Sequence, residues 1–120
     1  MTATFPKIVH DANNLCLLIF RLTSAIPKHY RPTLAQKLEL MSMETYLSAR
    51  SFVLSNTAAK TKSGTELASM IKNIDQIEAI IGIAHDLRAI NDSMFGQVSQ
   101  GAVDVRKQLH GLMKKYAAAN

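Results

Sequence analysis

Arg106 and His110 stand four residues apart, the spacing that puts two side chains on one face of a helix, where an arginine and an imidazole can approach the same phosphate. They are the best catalytic candidates in the chain. The other histidines offer less. The positions three before His10, His29, His85 and His110 are Lys7, Ile26, Gly82 and Lys107, so the Glu-x-x-His pairs of a carboxylate-bridged metal bundle are absent. There is no His-Glu-x-x-His run, and Cys16 has no second cysteine to join it in a zinc site or a disulfide. The five glycines are scattered, which excludes a glycine-rich phosphate loop. We therefore expect no catalytic residue, no metal and no cofactor. Arg106 and His110 read as polar side chains turned to solvent, His85-Asp86 as a solvated pair closing a helix, and His10 as a surface residue.

Charge points elsewhere. The 120 residues carry a formal net charge of +5, with a pI of about 9.6. Such a balance suits a polyanionic partner, RNA or DNA, or an acidic protein face; the plain alternative is charge for solubility. Hydrophobic residues make up 48% of the chain but aromatics only 6%, with no Trp, so apolar volume comes from Ala, Leu, Ile and Met and suits helix packing. The longest apolar runs are about six residues, against roughly 20 needed to cross a bilayer, and no membrane association is expected. The opening residues lack a charged region followed by an apolar one, so no leader is expected and a cytoplasmic location fits.

These residues must be positioned by helices. Four segments keep a 3-4 apolar spacing. They are 6–25 with Ile8, Ala12, Leu15, Ile19 and Leu22; 32–56 with Leu34, Leu38, Met41, Thr45, Ser48 and Phe52; 65–89 with Leu67, Met70, Ile74, Ile77, Ile81 and Ala84; and 92–117 with Phe95, Val98, Ala102, Val105, Leu109, Leu112 and Tyr116. Pro27 ends the first helix and Pro32 opens the second. Thr33 with Gln36, and Ser63 with Glu66, fit capping boxes, and Asn91-Asp92-Ser93 offers N-caps for the last helix. Residues 57–63 read as a polar loop and the end from Ala117 as a fraying terminus. Short connections predict one domain, an all-α, antiparallel up-down-up-down four-helix bundle with left-handed packing at about 20°.

Two features exceed a plain monomeric bundle. The second helix carries another semi-apolar stripe, Met43, Tyr46, Arg50 and Val53, and the fourth contains Gly96, Gly101 and Gly111. Both fit a second contact surface and self-association. The topology also sorts the basic residues. One end gathers Lys7, Arg50, Lys60, Lys62, Lys114 and Lys115 against only Asp11 and Glu66, and is the expected nucleic-acid-binding site; Lys28, Arg31 and Lys37 form a second basic patch at the hinge.

The stretch Ala25-Ile-Pro-Lys28-x-x-Arg31-x-x-Leu34-Ala-Gln36-Lys37 resembles the Avd proteins, accessory variability determinants of diversity-generating retroelements, and the related proteins encoded in 23S rRNA intervening sequences. Further matches are Ile83-Ala84-His-Asp86-Leu87 and Gly111-Leu-Met-Lys114, and together these cover nearly the whole chain. The resemblance implies a basic, non-enzymatic homopentamer that binds a reverse transcriptase and nucleic acid in mutagenic retrohoming. Two departures bear on where those contacts lie: Glu78 and Gly82 stand where Avd proteins often carry arginines, and Leu112 replaces a common Trp. An intervening-sequence-type bundle of undefined role and a helical scaffold for another protein are the alternatives. A third is a ribonuclease of the HEPN class, whose Arg-x4-6-His motif is one residue longer than the Arg106–His110 gap.

Overall fold

A computed structural model of the chain describes residues 6–55 and 60–119, with side chains placed for 6–54 and 64–115. Four helices form: α1 (Lys7–Thr23), α2 (Gln36–Ser55), α3 (Lys60–Asp86) and α4 (Asp92–Ala119), with no strand among the described residues. Each helix packs on its neighbours in chain order, and α4 closes the bundle against α1. The direction of each helix shows in cross-helix contacts. Ser42 lies opposite Cys16 and Glu39 opposite Thr23; Arg106 meets Asp75 and Glu78; Gln108 near the end of α4 reaches Asp11 near the start of α1. This is the antiparallel all-α four-helix bundle that the periodicity predicts.

The apolar stripes meet inside. Leu15, Ile19, Leu38, Leu67, Met70, Ile74, Ile77, Ile81, Val98, Val105 and Leu109 are fully buried. Each such side chain contributes about 1.5–3 kcal/mol relative to exposure. The α2 stripe differs in one place from the expected one. Ser48 is only half-buried, and Ala49 occupies the core instead, because 3.6 residues per turn carry a 3-4 pattern around the helix over several turns. The buried hydroxyls of this region are satisfied locally. Thr45 donates to the Met41 carbonyl at 2.9 Å and Ser42 to that of Glu39 at 3.0 Å. The Thr23 hydroxyl lies 2.6 Å from the Glu39 carboxylate and 3.0 Å from the Phe20 carbonyl, so its one proton serves two acceptors and ties α1 to α2.

The helix ends depart most from expectation. α1 stops at Thr23, and the hinge continues through a 3-10 turn (Lys28–Tyr30) and a π turn (Arg31–Ala35) into α2. Pro32 fits the π turn because its missing N–H falls among the first, unpartnered donors. Thr33 does not form the capping box with Gln36; its hydroxyl turns back and donates to the Tyr30 carbonyl at 3.2 Å. α3 opens at Lys60, so Ser63 and Glu66 lie within the helix rather than at its cap. Nothing from Lys60 to Ser63 forbids a helix, and chain continuity wins over the cap signal. Of the expected 57–63 loop, 57–59 lie outside the described residues, as does Asn120 of the expected frayed end. The side chain of Tyr116, assigned to the α4 stripe, also falls outside those placed.

α3 ends at Asp86, not at Ala89, in a Schellman motif. Ala89 donates to the Ala84 carbonyl at 2.8 Å and Arg88 to that of His85 at 3.0 Å, with Arg88 in the left-handed region at φ 60°. Buried Ala84 and Ala89 supply the accompanying apolar contact. At the start of α4 the cap is Asn91, whose side-chain oxygen accepts from the Met94 N–H at 2.8 Å.

Candidate nucleic-acid interface

Antiparallel packing brings the start of α1, the end of α2 and the end of α4 to one end of the bundle. Lys7, Lys114 and Lys115 are exposed there, and Arg50 is half-buried toward the same end of α2. The Lys7 ammonium lies 2.9 Å from Asp11. It holds its proton more tightly than an ordinary lysine, chiefly through that hydrogen bond, then through the charge of Asp11; desolvation opposes this, and the charge of Asp104 adds the least. Arg50 donates to the Tyr46 hydroxyl at 3.1 Å, and its guanidinium lies 5.9 Å from the ring centroid. The side chains of Lys60 and Lys62 lie outside those placed; their backbone positions are the first turn of α3. One Glu66 carboxylate oxygen near this end is buried and has no hydrogen-bond partner among the described residues.

The structure adds a ridge that the sequence reading divided differently. Lys107, His110 and Lys114 are all exposed and spaced i, i+3, i+7, hence aligned on the outer face of α4 over about 10 Å. The i, i+3, i+7 spacing is the signal for this ridge in the sequence, and the pairing of His110 with Arg106 cuts across it. Those two part company in the fold. Arg106 turns to α3, where Nε lies 3.3 Å from Asp75, Nη2 lies 3.2 Å from the same carboxylate, and Nη2 also meets Glu78. Its guanidinium is thus committed to joining α3 to α4, while His110 stays on the outer face.

The hinge patch is partly a structural device. Arg31 folds back, donating from Nε to the Ile26 carbonyl at 3.0 Å and from Nη2 to that of Ser24 at 3.4 Å. It satisfies carbonyls left open where α1 ends, in the manner of a basic residue at a helix C-terminus. Lys28 and Lys37 are exposed. His85 does not pair with Asp86. Its Nε2 lies 2.7 Å from Asp92, across the α3–α4 turn, and its ring stacks on Phe95 with centroids 4.2 Å apart. His10 is exposed, as expected, and Cys16 is a half-buried free thiol.

The groove between α1 and α4 does not coincide with positive charge. Its volume is about 620 Å³, and it is floored by Leu15 and Leu18 and walled by Asp11, Asp92 and Asp104. A phosphate would meet carboxylates there. Among the described residues no cluster of histidine, cysteine or acidic side chains has the makings of a metal site, and no described helix is long and apolar enough to cross a membrane. The basic end and the α4 ridge present exposed lysines, the kind of group whose phosphate contacts position rather than specify, and a hollow of about 290 Å³ lined by Pro6, Lys7, Ile8, Gln108, Gly111 and Leu112 lies at that end, its lining almost wholly apolar. No protein-family model matches the chain, and no curated protein matches it.

Proposed function

We propose that this chain is a non-enzymatic, basic four-helix bundle that self-assembles, binds the phosphate backbone of RNA or DNA, and serves as the accessory partner of a reverse transcriptase in a diversity-generating retroelement. The observation that carries the nucleic-acid reading is the exposed ridge Lys107–His110–Lys114 beside Lys7 and Lys115. The reverse transcriptase and a copy number of five are what the resemblance at the hinge and helix ends implies. The engagement of Arg106 with Asp75 and Glu78 supports a binding role over a ribonuclease, since a guanidinium held by two carboxylates is poorly placed to hold a phosphate as well.

The test is a titration of labelled single-stranded RNA and DNA at several salt concentrations, read by fluorescence anisotropy. Binding through lysines releases counterions, so log affinity should fall with log salt at a slope of about −0.7 per phosphate contacted on a single strand. The double variant Lys107→Glu/Lys114→Glu should weaken binding to all sequences alike and flatten the slope. Lys28→Glu/Lys37→Glu at the hinge should leave it nearly unchanged. Loss of binding in the hinge variant alone moves the site to the other end, and no binding at low salt removes the nucleic-acid reading. Labelled RNA should stay intact throughout; cleavage that disappears in a folded His110→Ala variant makes the chain a nuclease. Co-purification with a reverse transcriptase encoded beside it tests the partner.

A further inference from the structure

α2 is apolar on two opposite faces. Its inner face fills the core with Leu38, Met41, Ala49 and Phe52. Its outer face repeats at 3-4-3-4 spacing as Leu40, Met43, Leu47, Arg50 and Leu54, the four apolar members 40% to 68% exposed. That spacing, held over two heptads, is the seam by which one helix packs along another. A helix apolar on two opposite faces has a second face to bury, yet α2 stands at a corner of this bundle and covers only one. On α1, Leu17 and Phe20 are also exposed, and Phe20 borders α2 beside Gln36 and Glu39. With roughly 200 Å² for a fully exposed side chain of this size, the six residues leave about 600 Å² of apolar surface. The four α2 residues alone, aligned on one helix face, account for about 440 Å², within the range of about 300–600 Å² for the largest patch on a typical monomer. Phe20 extends it on α1, toward the roughly 800 Å² per partner of a stable protein–protein contact.

We infer that the outer face of α2, with Leu17 and Phe20 of α1, is the surface on which a second copy of this chain seats. The choice of occupant follows from charge. Two copies each carrying +5 repel one another wherever their lysines face. Along α2 from Gln36 to Leu54 the charges cancel, Lys37 and Arg50 against Glu39 and Glu44. This neutral, apolar face is where a strongly basic chain meets its own copy without that penalty. A nucleic acid would gain nothing from it, and an acidic partner would find no excess of positive charge. The face is separate from the α4 ridge, so assembly leaves the lysines Lys107 and Lys114 outward and repeats them in each copy, which turns weak phosphate contacts into avidity.

The inference rests on the self-assembly proposed above, and the experiment separates the two. Light scattering on a sizing column should give a multiple of the 13.2 kDa chain mass for the unaltered protein. Leu47→Arg and, independently, Leu40→Lys should bring it down to the single-chain mass with unchanged far-UV circular dichroism, since both positions are exposed in the bundle. Ile83→Arg, at an exposed apolar position on α3, should leave the mass of the assembly as it was. An unaltered protein that is monomeric at tens of micromolar overturns self-assembly altogether. An assembly that survives both α2 substitutions overturns this surface alone. Should the α2 variants misfold, Leu47→Cys in a Cys16→Ala background gives the same answer: the thiol at 47 should be shielded from maleimide in the assembly and react freely after dilution. A reaction rate independent of concentration refutes the inference.

Discussion

The glycines of the bundle make a graded test of helix packing. An added methyl at Gly82 on α3 or Gly96 on α4 would meet nothing within 4 Å. Replacing glycine by alanine inside a helix then returns the conformational entropy that glycine loses on folding, about 0.5–1 kcal/mol. At about 2.1 cal/mol/K per residue of unfolding entropy, a chain of this length gives about 0.25 kcal/mol per degree, so each substitution should raise Tm by about 2–4 °C. Gly101 differs. A methyl there would stand 3.2 Å from a Leu15 methyl and 3.8 Å from one of Leu18. Leu15 is fully buried and cannot retreat into solvent. Displacing it off its rotamer costs about 0.5–1.5 kcal/mol, which offsets the helix gain and leaves a net change of about zero or slightly below. Thermal unfolding followed by circular dichroism, at one fixed protein concentration because assembly shifts Tm, reads the series. If Gly101→Ala stabilises as much as Gly96→Ala, α1 and α4 do not approach as closely as the reasoning requires. If Gly82→Ala or Gly96→Ala lowers Tm, those positions are covered in solution by something, and the open-position premise fails.

Arg88 holds a left-handed conformation at the C′ position of α3, where a Cβ is strained by about 1–2 kcal/mol and glycine is not. Arg88→Gly should therefore be neutral or stabilising by up to about 1 kcal/mol despite adding a glycine, and a clear loss of stability in urea unfolding would refute the motif. Arg106→Lys keeps the charge but replaces a planar fork by a point charge that cannot serve Asp75 and Glu78 together. It should cost about 1 kcal/mol, with the loss shrinking in high salt, and an unchanged denaturation midpoint would mean the α3–α4 ion pairs contribute nothing.

What the sequence made legible was the part encoded in repetition. Ile8, Ala12, Leu15, Ile19 and Leu22, or Leu67, Met70, Ile74, Ile77, Ile81 and Ala84, declare a buried face by spacing alone, and each of these residues is buried. Endings were harder, because several local solutions compete at a helix terminus with energies that differ by about 1 kcal/mol or less. Thr33 is a good capping residue, yet the π turn leaves its hydroxyl nearer the Tyr30 carbonyl. The end of α3 carries no glycine to announce it; Arg88 takes the left-handed position because the burial of Ala84 and Ala89 and two backbone hydrogen bonds over-determine the turn. Arg31 reads in the sequence as one more hinge charge, since nothing there tells a free guanidinium from one folded back on Ile26 and Ser24.

That distinction reaches the candidate site. Three of the five arginines, Arg31, Arg50 and Arg106, are engaged by carbonyls, a hydroxyl and carboxylates of the protein itself, whereas Lys28, Lys37, Lys72, Lys107, Lys114 and Lys115 stand exposed. The division follows from chemistry. A guanidinium is weakly hydrated and presents donors in a fixed fork, so it is readily held at helix seams, while an ammonium is strongly hydrated and keeps its solvent on a flexible stem. Of these three, Arg106 joins two helices, Arg31 closes the hinge and Arg50 bonds along its own helix, while the exposed lysines carry charge outward. A surface charged by lysines meets phosphates as point charges and lacks the bidentate groups that distinguish guanine or adenine edges. Affinity in such a system comes from the number of lysines brought to bear at once. On the function proposed above, the neutral apolar face of α2 and the lysine ridge of α4 would form one scheme, in which the first multiplies the second.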